Sequence, residues 1–404
     1  MGDLFNDCSM MRELSDMASE REAVYAFVRD RLNPGAHARD RACEAFPRAL
    51  LEQAGALGMF GTGLPEALGG RARGWADSSR ELWALSRECE EMAFPFIVSY
   101  QQSLVSGIYS AGRPDLLPLC RAMARGERFG TFGWSESTDA FSFRTTVRRT
   151  ATGIVIDGVK APVSGAVFSD VFVVYARDAA NDDVIAVLVE RGDPGVEIVE
   201  MEPLGLRALG QGELRMTGVE LAAERILVAS DALSHAQVFL SSRRIAIPCF
   251  VLGRLEAFFE ASARDLSSRM RYGLPASEMQ AVQAALGRMW AQVETCRALV
   301  EQMLRRLGDR DERSAADRAW DPAVAATKYA VLEQARAFLY DAQNILGGRW
   351  YYTKWPFGRW MRDLMGMIPA AGTQAILEVD IGMLASSEVA RRGRTRHRGQ
   401  GDRP

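Results

Sequence analysis

Residues Asp341 to Thr373 read DAQNILGGRWYYTKWPFGRWMRDLMGMIPAAGT. Helical spacing runs up to Leu346 and stops at Gly347-Gly348, a pair that ends a helix and lets the backbone approach another group closely. An aromatic cluster around Pro356, then Arg362-Asp363, then a short loop ending in Gly372-Thr373 follow. Working outward, apolar residues keep helical spacing over Ala236 to Ser262, Pro275 to Leu307 and Pro322 to Leu346 before the glycines, and over Thr373 to Ala390 after the loop. Four long helices with short connections predict a helical bundle over 233–390. Residues 391–404 are basic and lack apolar anchors, so a disordered tail is expected there.

Upstream of the bundle the period is that of strands. Thr145 to Val147, Ile154 to Val159, Val171 to Tyr175, Val184 to Val189, Val196 to Val199, Glu213 to Glu220 and Ile226-Leu227 are rich in β-branched residues. Asp157-Gly158 carries a hairpin-turn signal. A barrel-like β domain over 126–232 is expected. Residues 1–125 read as helical, over Ser15 to Arg31 (closed by Asn33-Pro34-Gly35), Pro47 to Leu57, Asp77 to Met92, Pro95 to Ala111 and Leu116 to Ala124. Between the second and third of these, the glycines and proline of FGTGLPEALGG, Phe60 to Gly70, break both regular periods and predict a structured loop. The fold class is therefore α+β: a helical domain, a β domain and a helical bundle.

Composition excludes several functions. The chain has 404 residues, 48% hydrophobic and 25% charged, with a net charge of −3. That balance gives no electrostatic reason to expect nucleic acid or an anionic membrane as partner. No apolar run approaches the roughly 20 residues needed to span a bilayer. The start, MGDLFNDCSMMRELSDMA, has no basic stretch followed by an apolar core, so no signal peptide is expected. Six cysteines without C-x-x-C spacing read as reduced thiols of a cytoplasmic protein. With three histidines, His37, His235 and His397, scattered along the chain, neither a histidine metal site nor a Ser-His triad is expected.

The order of domains, with a set of motifs at matching distances, resembles the acyl-CoA dehydrogenase family of flavoproteins over roughly residues 15 to 390. Asn344 to Gly348 resembles the family's Q-I-L-G-G, Met361-Arg362-Asp363 its M-R-D, and Gly372-Thr373 the end of its Y-E-G-T. GTGLPEALGG resembles the N-terminal G-x-P-E-x-x-G-G loop. Asp139 with Arg144-Thr145 resembles G-S-D-x-x-x-x-K-T. Asp157-Gly158, Lys160, Ser164 and Asp170 resemble N-G-x-K-x-W-I-(S/T)-N-G followed by A-D. Leu204 to Arg207 matches the G-x-R segment, and Arg269 to Gly273 with Gln280 resembles R-x-x-F-G followed by Q.

The resemblance implies FAD held between subunits of a homodimer or homotetramer. By position, Arg269, Tyr272, Gln280, Asn344, Gly347 and Gly348 would meet its pyrophosphate and adenosine. Ser164 would bond flavin N5, and Thr373 would approach the cofactor. A guanidinium offsets pyrophosphate charge and glycine N–H groups reach phosphate oxygens. The blander roles are a solvated helix-end charge for Arg269, a helix stop for the glycines and plain turn residues for Ser164 and Thr373.

The departures concern chemistry. Ala371 stands where the family carries its catalytic glutamate. The second position at which members place a base is Arg243, beside the family's usual arginine, here Arg244. Phe132 replaces a flavin-bonding threonine, and Pro162 a flavin-flanking tryptophan. A weakly acidic α-proton normally needs a positioned base. Glu136 and Arg243 are the remaining catalytic candidates: Glu136 as a substitute base, with an exposed loop carboxylate as the alternative, and Arg243 as an oxyanion or carboxylate binder, with a helix-surface charge as the alternative. Tyr100, Gln101 and Ser137, with Arg243 and Arg244, are candidate substrate contacts. Three readings stand: a flavoenzyme with altered chemistry on a specialised acyl thioester, bound to CoA or to an acyl carrier protein; a flavin-dependent monooxygenase; and a non-catalytic subunit paired with a glutamate-containing paralogue.

Overall fold

The computed structural model describes residues 20–136, 143–308 and 322–399. Two compact units make up the chain, Met1–Arg73 with Ala84–His235, and Gly74–Trp83 with Ala236–Pro404. The N-terminal helical region and the β region, expected as separate domains, therefore share one unit.

The helices of the N-terminal region are α1 (Ala36–Ala42), α2 (Arg48–Ala56), α3 (Trp75–Glu88), α4 (Ala93–Ser110) and α5 (Leu117–Ala124). The helix expected to close at Asn33-Pro34-Gly35 does not. It passes through a π turn at Val28–Leu32 and a 3-10 turn at Asn33–Gly35 into α1. Pro34 lies in the first turn of the 3-10 segment, where a missing N–H leaves no bond unmade. Asn33 locks the corner by donating Nδ2 to Glu88 O and accepting the Glu90 N–H, both at 2.9 Å.

Eight strands follow: β1 (Gly130–Gly133), β2 (Thr146–Arg149), β3 (Ile154–Val163), β4 (Val171–Asp178), β5 (Val184–Glu190), β6 (Val196–Glu200), β7 (Gly212–Leu221) and β8 (Ile226–Val228). They form one mixed sheet in the order β6-β7-β3-β2-β4-β5-β8. β1 and β2 both run parallel to β4, at opposite ends of it, and the other pairs are antiparallel. Alternate residues of β3, β4, β5 and β7, among them Ile156, Phe172, Val187 and Leu214, make the buried sheet core. The Asp157-Gly158 turn expected from sequence is instead a register shift inside β3. The extra residue lies on the β7 side, and Asp157 Oδ1 accepts the Gly218 N–H at 2.6 Å, so the carboxylate pins a bulge rather than a hairpin.

α4 explains why the helical and β regions form one unit. Almost every residue from Ala93 to Ile108 is buried, the pattern of a helix enclosed on all sides. Gln101 brackets Gly130 at the start of β1, donating Nε2 to its carbonyl at 2.8 Å and accepting its N–H at 3.2 Å.

The second unit contains α6 (Ala232–Ser268, from Ala236 onward), a two-stranded ribbon of β9 (Met270–Arg271) and β10 (Leu274–Pro275), α7 (Gln280–Gly308), α8 (Pro322–Leu346), α9 (Gly348–Tyr351), α10 (Phe357–Gly366) and α11 (Gln374–Gly399). Tyr272 and Gly273 turn the ribbon at φ of 50° and 83°, the left-handed pair that a two-residue hairpin demands. α11 continues nine residues beyond its expected end at Ala390, to Gly399. Arginine is a good helix former and nothing in RRGRTRHRG is a proline, so a helix already started at Gln374 propagates.

The loop from Phe60 to Gly70 closes on itself. Leu64, Gly70, Ala72 and Arg73 N–H groups meet the carbonyls of Gly61, Pro65, Leu64 and Thr62 at 2.8–3.2 Å. A Cβ at Gly70 would sit 2.0 Å from Leu64 O, whereas one at Gly63 would meet nothing nearer than Ser106 Oγ at 3.5 Å. Gly70→Ala is therefore expected to lower unfolding stability by about 1–3 kcal/mol, and Gly63→Ala by less than about 0.5 kcal/mol. Urea unfolding of the two variants side by side is the check.

Candidate functional site

The first unit presents its polar groups where α4 meets β1. A directional chain of hydrogen bonds runs there: the Phe132 N–H donates to Tyr100 Oη at 2.9 Å, Tyr100 Oη donates to Thr131 Oγ1 at 3.1 Å, and Thr131 Oγ1 donates to Ser164 O. Such chains polarise one another and hold geometry tightly. Tyr100 is thus tied to the strand. Gln101 has both ends of its amide committed to Gly130, Gln102 donates to Met59 O at 2.8 Å, and Ser103 Oγ donates to Ser99 O at 2.7 Å. The polar face of α4 is internal scaffolding. Ser164 Oγ, by contrast, makes no hydrogen bond among the described residues, while its backbone is fixed by Thr131. Ser137 lies outside the described residues.

Glu136 and Lys160 form a buried ion pair, Nζ to Oε1 2.6 Å, with side chains 4% and 0% exposed. Glu136 also accepts the N–H groups of Arg144 at 2.6 Å and Thr145 at 3.1 Å. Lys160 donates to Trp134 O at 3.2 Å and lies 4.0 Å over the Phe143 ring. Burial pushes the Glu136 carboxyl up, but the Lys160 ammonium and the two N–H groups outweigh it and hold it below the usual carboxylate range. Burial brings Lys160 down to about 8, against the opposing pull of Glu136. A carboxylate held in that way is a poor proton acceptor. Glu136 is neither the exposed loop group nor the ready base that its sequence position allowed; it anchors the strand-to-strand crossing from β1 to β2.

Beside it, Phe132, Trp134, Phe143 and Tyr175 pack ring against ring at 4.9–5.6 Å between centroids. Tyr175 Oη meets His235 Nδ1 at 2.8 Å, and His235 Nε2 meets Gly107 O at 2.8 Å. A carbonyl only accepts, so Nε2 carries the proton and Nδ1 accepts from Tyr175. Burial raises the Tyr175 hydroxyl and lowers His235, which favours this neutral pair. Sequence reading gave His235 no role beyond being one of three scattered histidines, because a lone histidine at a helix start has no motif. Tyr175→Phe leaves Nδ1 without its donor and is expected to cost about 1–3 kcal/mol. Because the folded His235 binds its proton less readily than the unfolded one, the unfolded state takes up more protons as pH falls below about 6.5, and stability falls with it. The His235→Gln variant should lack that part of the acid slope, as read from unfolding midpoints between pH 7 and 5.

In the second unit, two of the stretches expected to meet a dinucleotide lie together, Arg269 and the end of the Asn344–Gly348 run. Arg269 sits at the C-terminal end of α8, its Nη1 and Nη2 donating to Leu346 O at 3.4 Å and Ile345 O at 3.2 Å. Asp265 lies 3.1 Å from both Arg269 Nε and Arg349 Nε. Gly347 follows at φ +59°, ψ −137°, a conformation that glycine tolerates, and a Cβ there would touch nothing within 4 Å. Gly347, Gly348, Asn344 and Gln280 are exposed, and the Tyr272 ring is 95% exposed at the ribbon's tip. Asn344 Nδ2 donates back to Tyr340 O at 2.9 Å. An open glycine backbone beside a guanidinium, with an unburied aromatic ring in the same unit, fits an anionic pyrophosphate and a flat base.

Elsewhere in this unit, two cations bond the carbonyls of the Ala370–Thr373 loop. Ala371 has φ +54°; its carbonyl accepts from Arg244 Nε at 3.4 Å. Arg244 Nη2 pairs with Asp380 at 2.8 Å. Lys328, fully buried on α8, donates Nζ to Gly372 O at 2.7 Å. Arg243 is 2% exposed, its guanidinium 5.8 Å from the Phe250 ring, so it is no helix-surface charge. Burial, and then the Arg244 and Arg243 charges, push Lys328 down to about 7. Thr373 Oγ1 accepts the Ile376 N–H at 3.4 Å and so caps α11. Lys328 and Asp380 were not singled out from sequence; a lysine inside an otherwise apolar helical face was the available signal for the former.

Comparison with known proteins agrees with this architecture. The families described as acyl-CoA dehydrogenase N-terminal, middle and C-terminal domains match residues 16–118, 132–219 and 231–385. Benzylmalonyl-CoA dehydrogenase of Aromatoleum aromaticum (strain DSM 19018 / LMG 30748 / EbN1) is 28% identical, over 92% of this chain and 99% of that protein. Among solved structures, a glutaryl-CoA dehydrogenase of Mycobacterium smegmatis in complex with FADH2 superposes with a TM-score of 0.81 at 23% identity, over 92% of this chain and 95% of that one. The prolyl acyl carrier protein oxidase AnaB superposes at 0.82 with 19% identity, over 92% and 99%. Three domain families matched in order across the helical, β and bundle regions establish that the chain belongs to the acyl-CoA dehydrogenase family.

Proposed function

We propose that this protein is an FAD-dependent oxidoreductase of a specialised acyl thioester, carried on CoA or on a carrier protein, and that it works without a carboxylate base at the family position. The observation that carries this reading is the Ala371 loop: a methyl group stands where the base belongs, and Arg244 and Lys328 bond the carbonyls of Ala371 and Gly372. Glu136, the remaining candidate, is held by Lys160. The relatives are consistent with the substrate class, since benzylmalonyl-CoA dehydrogenase and the prolyl carrier-protein oxidase are both named for acyl thioesters.

When bound, FAD supplies the hydride acceptor. Arg269 would offset pyrophosphate charge, the Gly347 and Gly348 N–H groups would be available to its oxygens, Tyr272 would offer a ring to the adenine, and the Ser164 hydroxyl would serve the flavin. The open edge made by Arg269, Tyr272 and the glycines also favours a second reading, a subunit that lends this edge to a glutamate-containing partner.

The test is to purify the chain alone and record its visible spectrum and solution mass. About one FAD per chain in a homodimer or homotetramer, with turnover of an acyl thioester, is the expected result. A colourless protein that gains flavin only with a paralogue would replace it with the accessory-subunit reading. One that takes up only reduced flavin and consumes O2 would make it a monooxygenase. No helix among the described residues is long and apolar enough to cross a membrane.

A further inference from the structure

Directly after the Gly347-Gly348 pair stands Arg349, to which sequence reading gave no role. It lies in the first turn of α9. Its Nε is 3.1 Å from Asp265 Oδ1, and its Cζ is 4.7 Å from the centre of the Trp355 ring. A carboxylate at Nε and an indole beside the guanidinium hold that rigid plane in place. The side chain is 26% exposed. Its two Nη groups make no hydrogen bond among the described residues.

Arg269 is engaged differently. Its Nη1 and Nη2 donate to Leu346 O at 3.4 Å and Ile345 O at 3.2 Å, so they close the end of α8. Its Nε faces Asp265 Oδ2 at 3.1 Å, and its side chain is 16% exposed. Asp265 is thus one carboxylate shared by two guanidiniums. Burial lowers the Arg269 pKa, Asp265 opposes that, and the charges of Arg349 and of Arg271 on β9 lower it further. Lys354 adds an ammonium 5.4 Å from the Trp355 ring. Three arginines therefore act around a single carboxylate, and such an excess favours an anion. Beside them the backbone is open: Gly347 is exposed, and a Cβ there would meet nothing within 4 Å.

We propose that Arg349 is the residue that bonds the pyrophosphate of FAD directly, through its uncommitted Nη groups, while Arg269 contributes charge and holds the end of α8. A guanidinium offers two parallel N–H groups to phosphate oxygens, which an ammonium cannot match. The proposal rests on the reading of this edge as the place where FAD binds. It moves the direct contact from the arginine that the resemblance singles out to the one that follows the glycines.

The experiment is a fluorescence titration of FAD into the full chain stripped of its flavin, at low and at high salt. The native protein is compared with Arg349→Gln and Arg349→Lys. Expected is a loss of FAD affinity on the order of 10- to 100-fold in Arg349→Gln at low salt. Arg349→Lys should lose less, since it keeps the charge and gives up only the planar fork. The gap to the native chain should narrow as salt screens the contact. The unfolding midpoint of the flavin-free Arg349→Gln chain should match the native one, because Asp265 keeps Arg269 as its partner. Arg269→Gln should lower that midpoint, because the α8 carbonyls lose their donors. The lysine variant keeps the test decisive should the glutamine variant not fold. Affinity within about twofold of native in both variants, or a loss that salt does not narrow, would overturn the assignment and leave the FAD reading standing. Failure of the native chain to take up FAD would overturn that reading as well.

Discussion

Replacing Lys160 with methionine lowers unfolding stability by about 3 kcal/mol, because it leaves the Glu136 carboxylate buried without its cation. Both side chains are almost wholly enclosed, at 0% and 4% exposure. The N–H groups of Arg144 and Thr145 would still bond the carboxylate, which places the loss at the lower end of what broken buried pairs show. The variant also changes the acid response. In the native chain Glu136 sits below its ordinary range, so its contribution is present above about pH 4.5 and is lost as pH falls through its lower folded value. Without Lys160 the burial that opposes ionisation prevails, the folded carboxyl rises, and destabilisation begins nearer neutrality. Lys160→Met with Glu136→Leu should recover much of the loss, since an apolar pair of similar volume restores packing without charge. Denaturant unfolding of the single and double variants at pH 7 and pH 5 reads both effects. If the single variant matches the native chain within 0.5 kcal/mol or so, the pair is not the anchor described here.

Much of the architecture was legible in the sequence because the signals were long or local. The helices of the second unit carry sustained helical spacing, and three of their expected ends, Leu307, Pro322 and Leu346, fall within one residue of the observed bounds. The strand runs of β4 and β5 were visible in their β-branched residues. The misplaced features depend on partners that a linear reading cannot supply. Asp157-Gly158 has the residues of a turn, but β7 lies alongside it and converts it into a bulge. Gln101 and Glu136 have the residues of a site, but Gly130 and Lys160 absorb them. Conversely, Arg269 and the Gly347-Gly348 pair are almost eighty residues apart; the family resemblance assigned both to one cofactor, and the structure sets Arg269 against the helix end just before the glycines. Lys328 escaped because nothing in its neighbours along the chain foretells two arginines arriving from α6.

Ala371→Glu supplies the sharpest account of what the loop does. Glutamate meets little new backbone strain there, since the alanine Cβ already stands at φ +54° and bears the left-handed penalty. Its carboxylate would stand near Arg244 and Lys328, which bond the loop carbonyls. Those charges would lower its own pKa, so it would be ionised throughout the neutral range. If the loop faces the reacting carbon, a positioned base raises dehydrogenation of an unsubstituted acyl thioester such as butyryl-CoA by about 10²- to 10⁴-fold. The measurement is the rate of anaerobic flavin bleaching by butyryl-CoA. No rise while flavin remains bound would show that the cations at the Ala371 loop serve its fold rather than the reaction. In that case the chemistry of this chain would have to be sought on the Tyr100 to Ser164 chain of hydrogen bonds in the first unit, where the one uncommitted hydroxyl belongs to Ser164.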